Sequence, residues 1–212
     1  MRSEKPTITI IINNLIISPQ KWSAICRVRD MKLYIISNRL PVKVSEKNGT
    51  FSFTRSEGGL ATGLDSLQTA YEKHWIGWPG ICVDNDSDKQ AIGEKLEELN
   101  FHPVFLSDTQ IKNYYEGYSN STIWPLCHYF FAYTLYKDTF WQAYREVNKR
   151  FCETICRLIG PEDKVWVQDY QLMLLPGMLR EAVPDLCIGY FHHIPMNSSA
   201  YCPNGPRFSK VC

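Results

Sequence analysis

The stretch that decides the fold is residues 32–41, KLYIISNRLP. Its first six residues are mostly apolar and rich in isoleucine, as in a strand that is buried on both faces of a parallel sheet. Further strands are predicted at 74–78, 101–106, 165–167 and 187–191. Strands that alternate with helices are typical of βαβ units. We therefore predict an α/β fold, a Rossmann-like and mainly parallel sheet with flanking helices.

Turn and helix signals lie between these strands. Asn48-Gly49 sits between two short apolar runs and predicts a β-hairpin over 42–53. Residues 107–110 have the spacing of a capping box, which predicts a helix start. The spacing of apolar residues predicts four further helices. One begins at the glycine pair 58–59, and the other three cover 88–99, 140–158 and 172–182.

Composition excludes several classes of function. The chain has 212 residues, is 44% hydrophobic and carries a formal charge of +1, which suits one globular domain. It has no long basic run interleaved with aromatic residues, so nucleic acid is not expected as a partner. The eight cysteines lack the paired spacing of a zinc site. We expect them to be reduced thiols in a cytoplasmic protein. Neither a metal nor a cofactor is expected.

Polar residues follow three of the predicted strands. Ligands of open α/β sheets bind outside the carboxyl ends of the strands, so these residues are the candidate site. They are Asn38-Arg39, Gln168-Asp169-Tyr170 and His192-His193. Arg39 is either a solvated surface residue or a phosphate ligand that binds through the N–H donors of its guanidinium group. Asp169 is open to three interpretations: a general base, a carboxylate that binds hydroxyls, or a helix N-cap.

The remaining candidates each have a plain structural alternative. Gly58-Gly59 either forms an ordinary turn or lets a phosphate approach the start of a helix. His192 and His193 would point to opposite faces of a strand, so the two cannot easily share a metal. The aromatic cluster is either core or a surface on which sugar rings stack. It comprises Tyr114, Tyr115, Tyr118, Trp124, His128 and Tyr129.

Taken in order, these motifs resemble a known family. They are ISNRLP at 36–41, EGGLATG at 57–63, WIGW at 75–78, the tyrosine pair 114–115, WP at 124–125, HY at 128–129, WVQDY at 166–170 and GYFHHIP at 189–195. The sequence over 31–195 is similar to the N-terminal domain of trehalose-6-phosphate synthases. The resemblance implies the N-terminal half of a GT-B glycosyltransferase, which transfers glucose from UDP-glucose to glucose 6-phosphate with retention and without a metal.

The same resemblance implies roles for individual residues. Arg39 and Tyr115 would hold the acceptor phosphate, and Trp124 and Asp169 would orient the acceptor sugar. The donor UDP-glucose would lie against Gly58 and Gly59, and His193 would contact the transferred glucose. His193 and Asp169 are accordingly the expected catalytic residues. No membrane partner is expected, and a homo-oligomer of the full-length protein is compatible with the resemblance.

The chain departs from the family pattern at both ends. Residues 1–30 are expected to be an extension outside the family; Asn13 and Asn14 interrupt its apolar run, which argues against a signal peptide or membrane anchor. Residues 196–212 are interpreted as an aberrant tail. We expect the donor domain to be missing and the fragment to be inactive alone. Two alternatives stay open: a related GT-B enzyme with another acceptor, and a non-catalytic fragment that binds sugar phosphates.

Overall fold

The computed structural model describes residues 31–47, 49–55 and 69–194. Seven strands are present in this part of the chain: β1 (Lys32–Arg39), β2 (Val42–Lys47), β3 (Thr50–Arg55), β4 (Glu72–Trp78), β5 (Phe101–Pro103), β6 (Lys164–Gln168) and β7 (Cys187–Phe191). The α-helices are α1 (Asp86–Glu97), α2 (Asp108–Gln110), α3 (Trp124–Cys127), α4 (Asp138–Leu158) and α5 (Leu175–Ala182). Shorter 3₁₀ turns cover Phe131–Tyr133 and Tyr170–Leu172, and a π-helix covers Ile111–Ile123.

Five strands form one sheet in the order β5-β4-β1-β6-β7, and all four strand pairs are parallel. β2 and β3 form the predicted hairpin, with Gly49 at φ 73° in its turn. The α/β prediction is therefore confirmed. In the described residues no helix is long and apolar enough to cross a membrane.

Successive side chains of the central strand β1 enter two separate cores. Tyr34 and Ile36 face the core formed with α4 and α5, where Phe151 is fully buried. Ile35 faces the opposite core, which is formed with α1 and the hairpin and includes Ile92. A strand alternates its side chains between faces, so an uninterrupted apolar run serves a sheet covered on both sides.

Three predicted elements differ in extent. β5 ends at Pro103 instead of residue 106; Pro103 is tolerated because β5 is an edge strand, and the Val104 N–H makes one more bond to β4, to the carbonyl of Gly77. The predicted helix over 172–182 is divided into a 3₁₀ turn and α5, with Pro176 in the first turn of α5. The Ser107 capping box is present, but the helix continues as a π-helix, in which the Trp124 N–H donates to the carbonyl of Ser119, five residues back.

Candidate functional site

Three polar strand ends lie at one edge of the sheet. β1, β6 and β7 are neighbours, so the residues at their carboxyl ends come together, as predicted. Asp169 and His193 are in direct contact, because the backbone N–H of His193 donates to Oδ1 of Asp169 at 3.2 Å. Arg39 closes β1 at the same edge, and Asn38 beside it accepts a hydrogen bond of 2.9 Å from the hydroxyl of Tyr114.

Asp169 has a backbone conformation that non-glycine residues rarely adopt. Its φ is 70° and its ψ is 173°, a region that costs roughly 1–3 kcal/mol and is almost confined to glycine. Its Oδ1 also accepts from the Tyr170 N–H at 2.9 Å, so the N-cap interpretation is confirmed. With Oδ1 engaged by two backbone amides, Oδ2 is the carboxylate oxygen left for a ligand.

The hydroxyls of Tyr144, which is buried, and Tyr190, which is half-buried, stabilise this strained turn. The Tyr144 hydroxyl donates to the carbonyl of Tyr170 at 2.6 Å and accepts from the Met173 N–H at 3.1 Å. The Tyr190 hydroxyl donates to the Asp169 carbonyl at 3.3 Å. Sequence reasoning missed these supports, because they join residues far apart in the chain and have no local signal.

The two histidines have different surroundings. His193 is exposed, its Nε2 lies 3.1 Å from Oε1 of Gln168, and its ring packs edge-on against Phe191 at 4.6 Å between centroids. His192 is half-buried and its Nδ1 lies 2.9 Å from the Tyr190 hydroxyl. Burial lowers the pKa of His192, an effect that the nearby carboxylate of Asp169 opposes. Only His193 therefore presents its ring to the outside of this edge.

Arg39 is exposed and its guanidinium lies over the ring of Trp78, 5.4 Å from the ring centroid. Gly80, at φ 84°, also leaves room for the guanidinium; a Cβ there would lie 2.5 Å from an Arg39 terminal nitrogen. Among the described residues no carboxylate forms an ion pair with Arg39. Its fork of donors has the geometry that binds carboxylate or phosphate oxygens.

A groove of about 350 Å³ opens beside Trp124. Trp124 is 38% exposed and its ring stacks on His128 at 4.1 Å. The other lining residues are Asn120, Ser121, Pro125, Phe130, Tyr133 and Leu135. The Tyr170 hydroxyl donates to Oδ1 of Asn120 at 2.9 Å, which joins the groove to the turn at Asp169.

The aromatic cluster is divided between the core and the surface, and the stacking of a sugar on its exposed members stays a prediction. Tyr114 is fully buried, and Tyr115 and Tyr118 pack against the same core. Trp124 and Tyr129 are exposed. The tyrosines of the π-helix therefore pack against the core, whereas Trp124, which follows the π-helix, lines the groove.

Proton-bearing groups surround Asp169. Burial raises the pKa of Tyr170 to about 12, and the carboxylate of Asp169 adds to that rise. Burial, with a smaller effect of Asp169, also raises the pKa of the Cys127 thiol, a residue that the sequence reasoning did not single out. These groups are neutral near pH 7, and the Tyr170 hydroxyl donates its hydrogen bond to Asn120 without adding charge. Gly58, Gly59 and residues 1–30 and 195–212 lie outside the described residues.

Residues 31–206 match the model of glycosyltransferase family 20. The trehalose-6-phosphate synthase of Mycobacterium ulcerans is 44% identical over 167 residues, which are 78% of this chain and 33% of that protein. The UDP-forming alpha,alpha-trehalose-phosphate synthase of Botryotinia fuckeliana is 40% identical over 173 residues, 79% of this chain and 33% of that protein.

A similar fold is present in the solved structure of a UDP-forming alpha,alpha-trehalose-phosphate synthase from Burkholderia xenovorans in complex with glucose-6-phosphate. The TM-score is 0.60 and the identity 27%, over 79% of this chain and 34% of that chain. This chain thus spans about a third of the length of the relatives that it matches.

Proposed function

Because this chain belongs to glycosyltransferase family 20, we propose that it forms the acceptor-binding part of a trehalose-6-phosphate synthase. The proposed reaction transfers glucose from UDP-glucose to glucose 6-phosphate with retention, in the cytoplasm. The domain bounds proposed for this part are 31–195. The observation that carries the proposal is the placement of Arg39, Asp169 and His193 at one sheet edge.

Arg39 and Tyr115 are the proposed phosphate ligands. A guanidinium fixed between a tryptophan ring and a glycine loses little rotamer freedom when it forms two parallel bonds to a phosphate. Hydrogen bonds to charged groups contribute about 1.5–3 kcal/mol each. Arg39 therefore accounts for a large part of the affinity for a phosphorylated sugar.

The acceptor sugar is proposed to lie between Trp124 and Asp169. The exposed face of Trp124 offers an apolar platform for a sugar ring, and the free Oδ2 of Asp169 accepts a hydroxyl hydrogen. The hydrogen bond between Asn120 and Tyr170 fixes the distance between the groove at Trp124 and the turn at Asp169.

On the donor side, His193 is proposed to contact the transferred glucose, and Gly58 and Gly59 the diphosphate. Of the polar residues that end or follow β1, β6 and β7 at this edge, only Asp169 is a carboxylate. A retaining hydrolase would need two carboxyl groups about 5 Å apart. The proposed transfer instead relies on positive charge and amide dipoles to stabilise the departing UDP.

Calorimetric titration of the purified chain with glucose 6-phosphate tests the proposal. We expect binding that Arg39→Ala weakens by about 10- to 100-fold, the equivalent of one or two charged hydrogen bonds. Arg157→Ala is the matched control, because Arg157 is exposed on α4 and, within the described part of the chain, is hydrogen-bonded to Thr154 on the same helix.

Two further ligands, unphosphorylated glucose and glycerol phosphate, are titrated to identify the class of acceptor. Equal binding of glycerol phosphate would favour a related enzyme with another acceptor. Glucose 6-phosphate binding with no turnover of UDP-glucose would favour a non-catalytic fragment. A folded chain that binds none of these ligands contradicts the proposal.

A further inference from the structure

Gln168 closes β6 with its side chain inside the protein. It is 1% exposed, and its Oε1 lies 3.1 Å from Nε2 of His193. We propose that Gln168 is a positioning residue that holds the His193 ring as the Nε2–H tautomer, leaving Nδ1 as the ring atom that binds ligand.

Three contacts fix the orientation of His193. Gln168 pairs with Phe191 across the β6–β7 ladder, which brings its side chain close to the residues that follow β7. The Phe191 ring meets the His193 ring at an interplanar angle of 61°, and the His193 N–H is bonded to Asp169. The backbone bond, the Phe191 contact and the Nε2 contact together hold the ring, and among the described residues Nδ1 has no hydrogen-bond partner.

The chemistry of the pair determines the tautomer. A neutral imidazole carries one proton, so one ring nitrogen donates and the other accepts. A carbonyl oxygen only accepts, and Oε1 of Gln168 therefore selects the proton on Nε2. Gln168 with its amide reversed would donate to Nε2 and select the Nδ1–H form. The two orientations thus predict opposite protonation of the same ring.

The tautomer limits what His193 contributes to glucosyl transfer, a consequence that rests on the proposed function. Nδ1 with a lone pair accepts a hydrogen bond from a sugar hydroxyl. It has no proton to give to a departing phosphate. His193 then orients the glucose, and stabilisation of the leaving group falls to other residues.

Nuclear magnetic resonance of the ¹⁵N-labelled 212-residue chain tests the proposal without any ligand. At pH 8, where an ordinary imidazole is neutral, we expect a proton on Nε2 of His193 and none on Nδ1. Gln168→Glu keeps an acceptor at the same reach and should keep this tautomer. Gln168→Met has similar length without an acceptor, and the Nε2 proton should exchange with water about tenfold faster, the equivalent of one net hydrogen bond.

His192 is the internal control, because it bonds to Tyr190 and its signals should be the same in all three proteins. A proton on Nδ1 in the wild type, or an unchanged exchange rate in Gln168→Met, overturns the proposal. If Gln168→Met does not fold, the position of the ring proton in the wild type and in Gln168→Glu still tests the proposal. Failure to bind glucose 6-phosphate with the expected tautomer present would contradict the proposed function alone.

Discussion

The backbone amide of His193 donates a hydrogen bond to the carboxylate of Asp169, 24 residues earlier in the chain. This bond joins the ends of β6 and β7, so the residue proposed to bind the acceptor also positions the residue proposed to meet the donor. Changes at Asp169 should therefore affect both stability and binding, and the two effects can be separated.

Asp169→Ala should destabilise the fold by about 1–3 kcal/mol, because two backbone amides lose their acceptor while the strained φ and ψ persist. Asp169→Gly loses the same bonds but relieves the backbone, and should be about 1 kcal/mol more stable than the alanine variant. Urea unfolding measures both. Equal stability of the two variants would show that the conformation at Asp169 is not strained.

Tyr144→Phe should cost about 2–3 kcal/mol in free energy of unfolding. Its hydroxyl serves the carbonyl of Tyr170 and the N–H of Met173, and both would be left buried without a partner. Tyr133→Phe is the control, since Tyr133 is 75% exposed and surface changes usually stay within about 0.5 kcal/mol. Similar losses in the two variants would contradict this account of the turn.

Gly80→Ala should weaken glucose 6-phosphate binding although every charge is kept. The new Cβ would overlap the Arg39 guanidinium, and alanine at φ 84° is itself strained by roughly 1 kcal/mol. Gly93→Ala in α1 meets nothing within 4 Å and should stabilise the helix by about 0.5–1 kcal/mol with unchanged binding. Calorimetry and urea unfolding on both variants check this pair; unchanged binding in Gly80→Ala would argue against a fixed Arg39.

Stability should fall as the pH is lowered from about 6.5 to about 4. The rings of His74 and His102 stack and share a 2.9 Å hydrogen bond at the start of β4 and β5. Burial, then the charge of His74, lowers the pKa of His102 from 6.5 to about 4, and burial lowers that of His74 against the opposing charge of Glu72. Because the unfolded chain takes up protons first, this stability is present above 6.5 and lost below it.

The loss of free energy of unfolding that is due to His102 is on the order of 1 kcal/mol, since the ring is partly exposed and solvent screens its charge. Urea midpoints at pH 7.5 and 4.5 measure it. His102→Phe keeps an aromatic ring that cannot titrate and should show a smaller pH dependence. An identical dependence in the variant would place the titrating groups elsewhere.

The sheet was predictable because its strands carry the signal locally. Tyr34, Ile35 and Ile36 form an uninterrupted apolar run, and the polar residues after β1, β6 and β7 mark the ligand edge. The π-helix was not predictable, because its residues have ordinary helix propensities and its widened turns depend on packing against α4. There, Gly117 lies directly against the ring of Phe140.

The site was predictable only as a set of candidates. Asp169 was open to three interpretations, and the sequence could show neither its two amide donors nor its strained backbone. Gln168 was recognisable as a polar strand end, but its bond to His193 depends on the β6–β7 register. Local patterns predict where polar groups lie, whereas their partners depend on long-range contacts.

The π-helix also constrains how the sequence of this protein can change in length. Removing one residue between Ile111 and Ile123 would rotate everything after the deletion around the helix axis. Trp124 would then leave the groove, and the link from Asn120 to Tyr170 would break. Single-residue deletions in this segment should therefore be eliminated by selection.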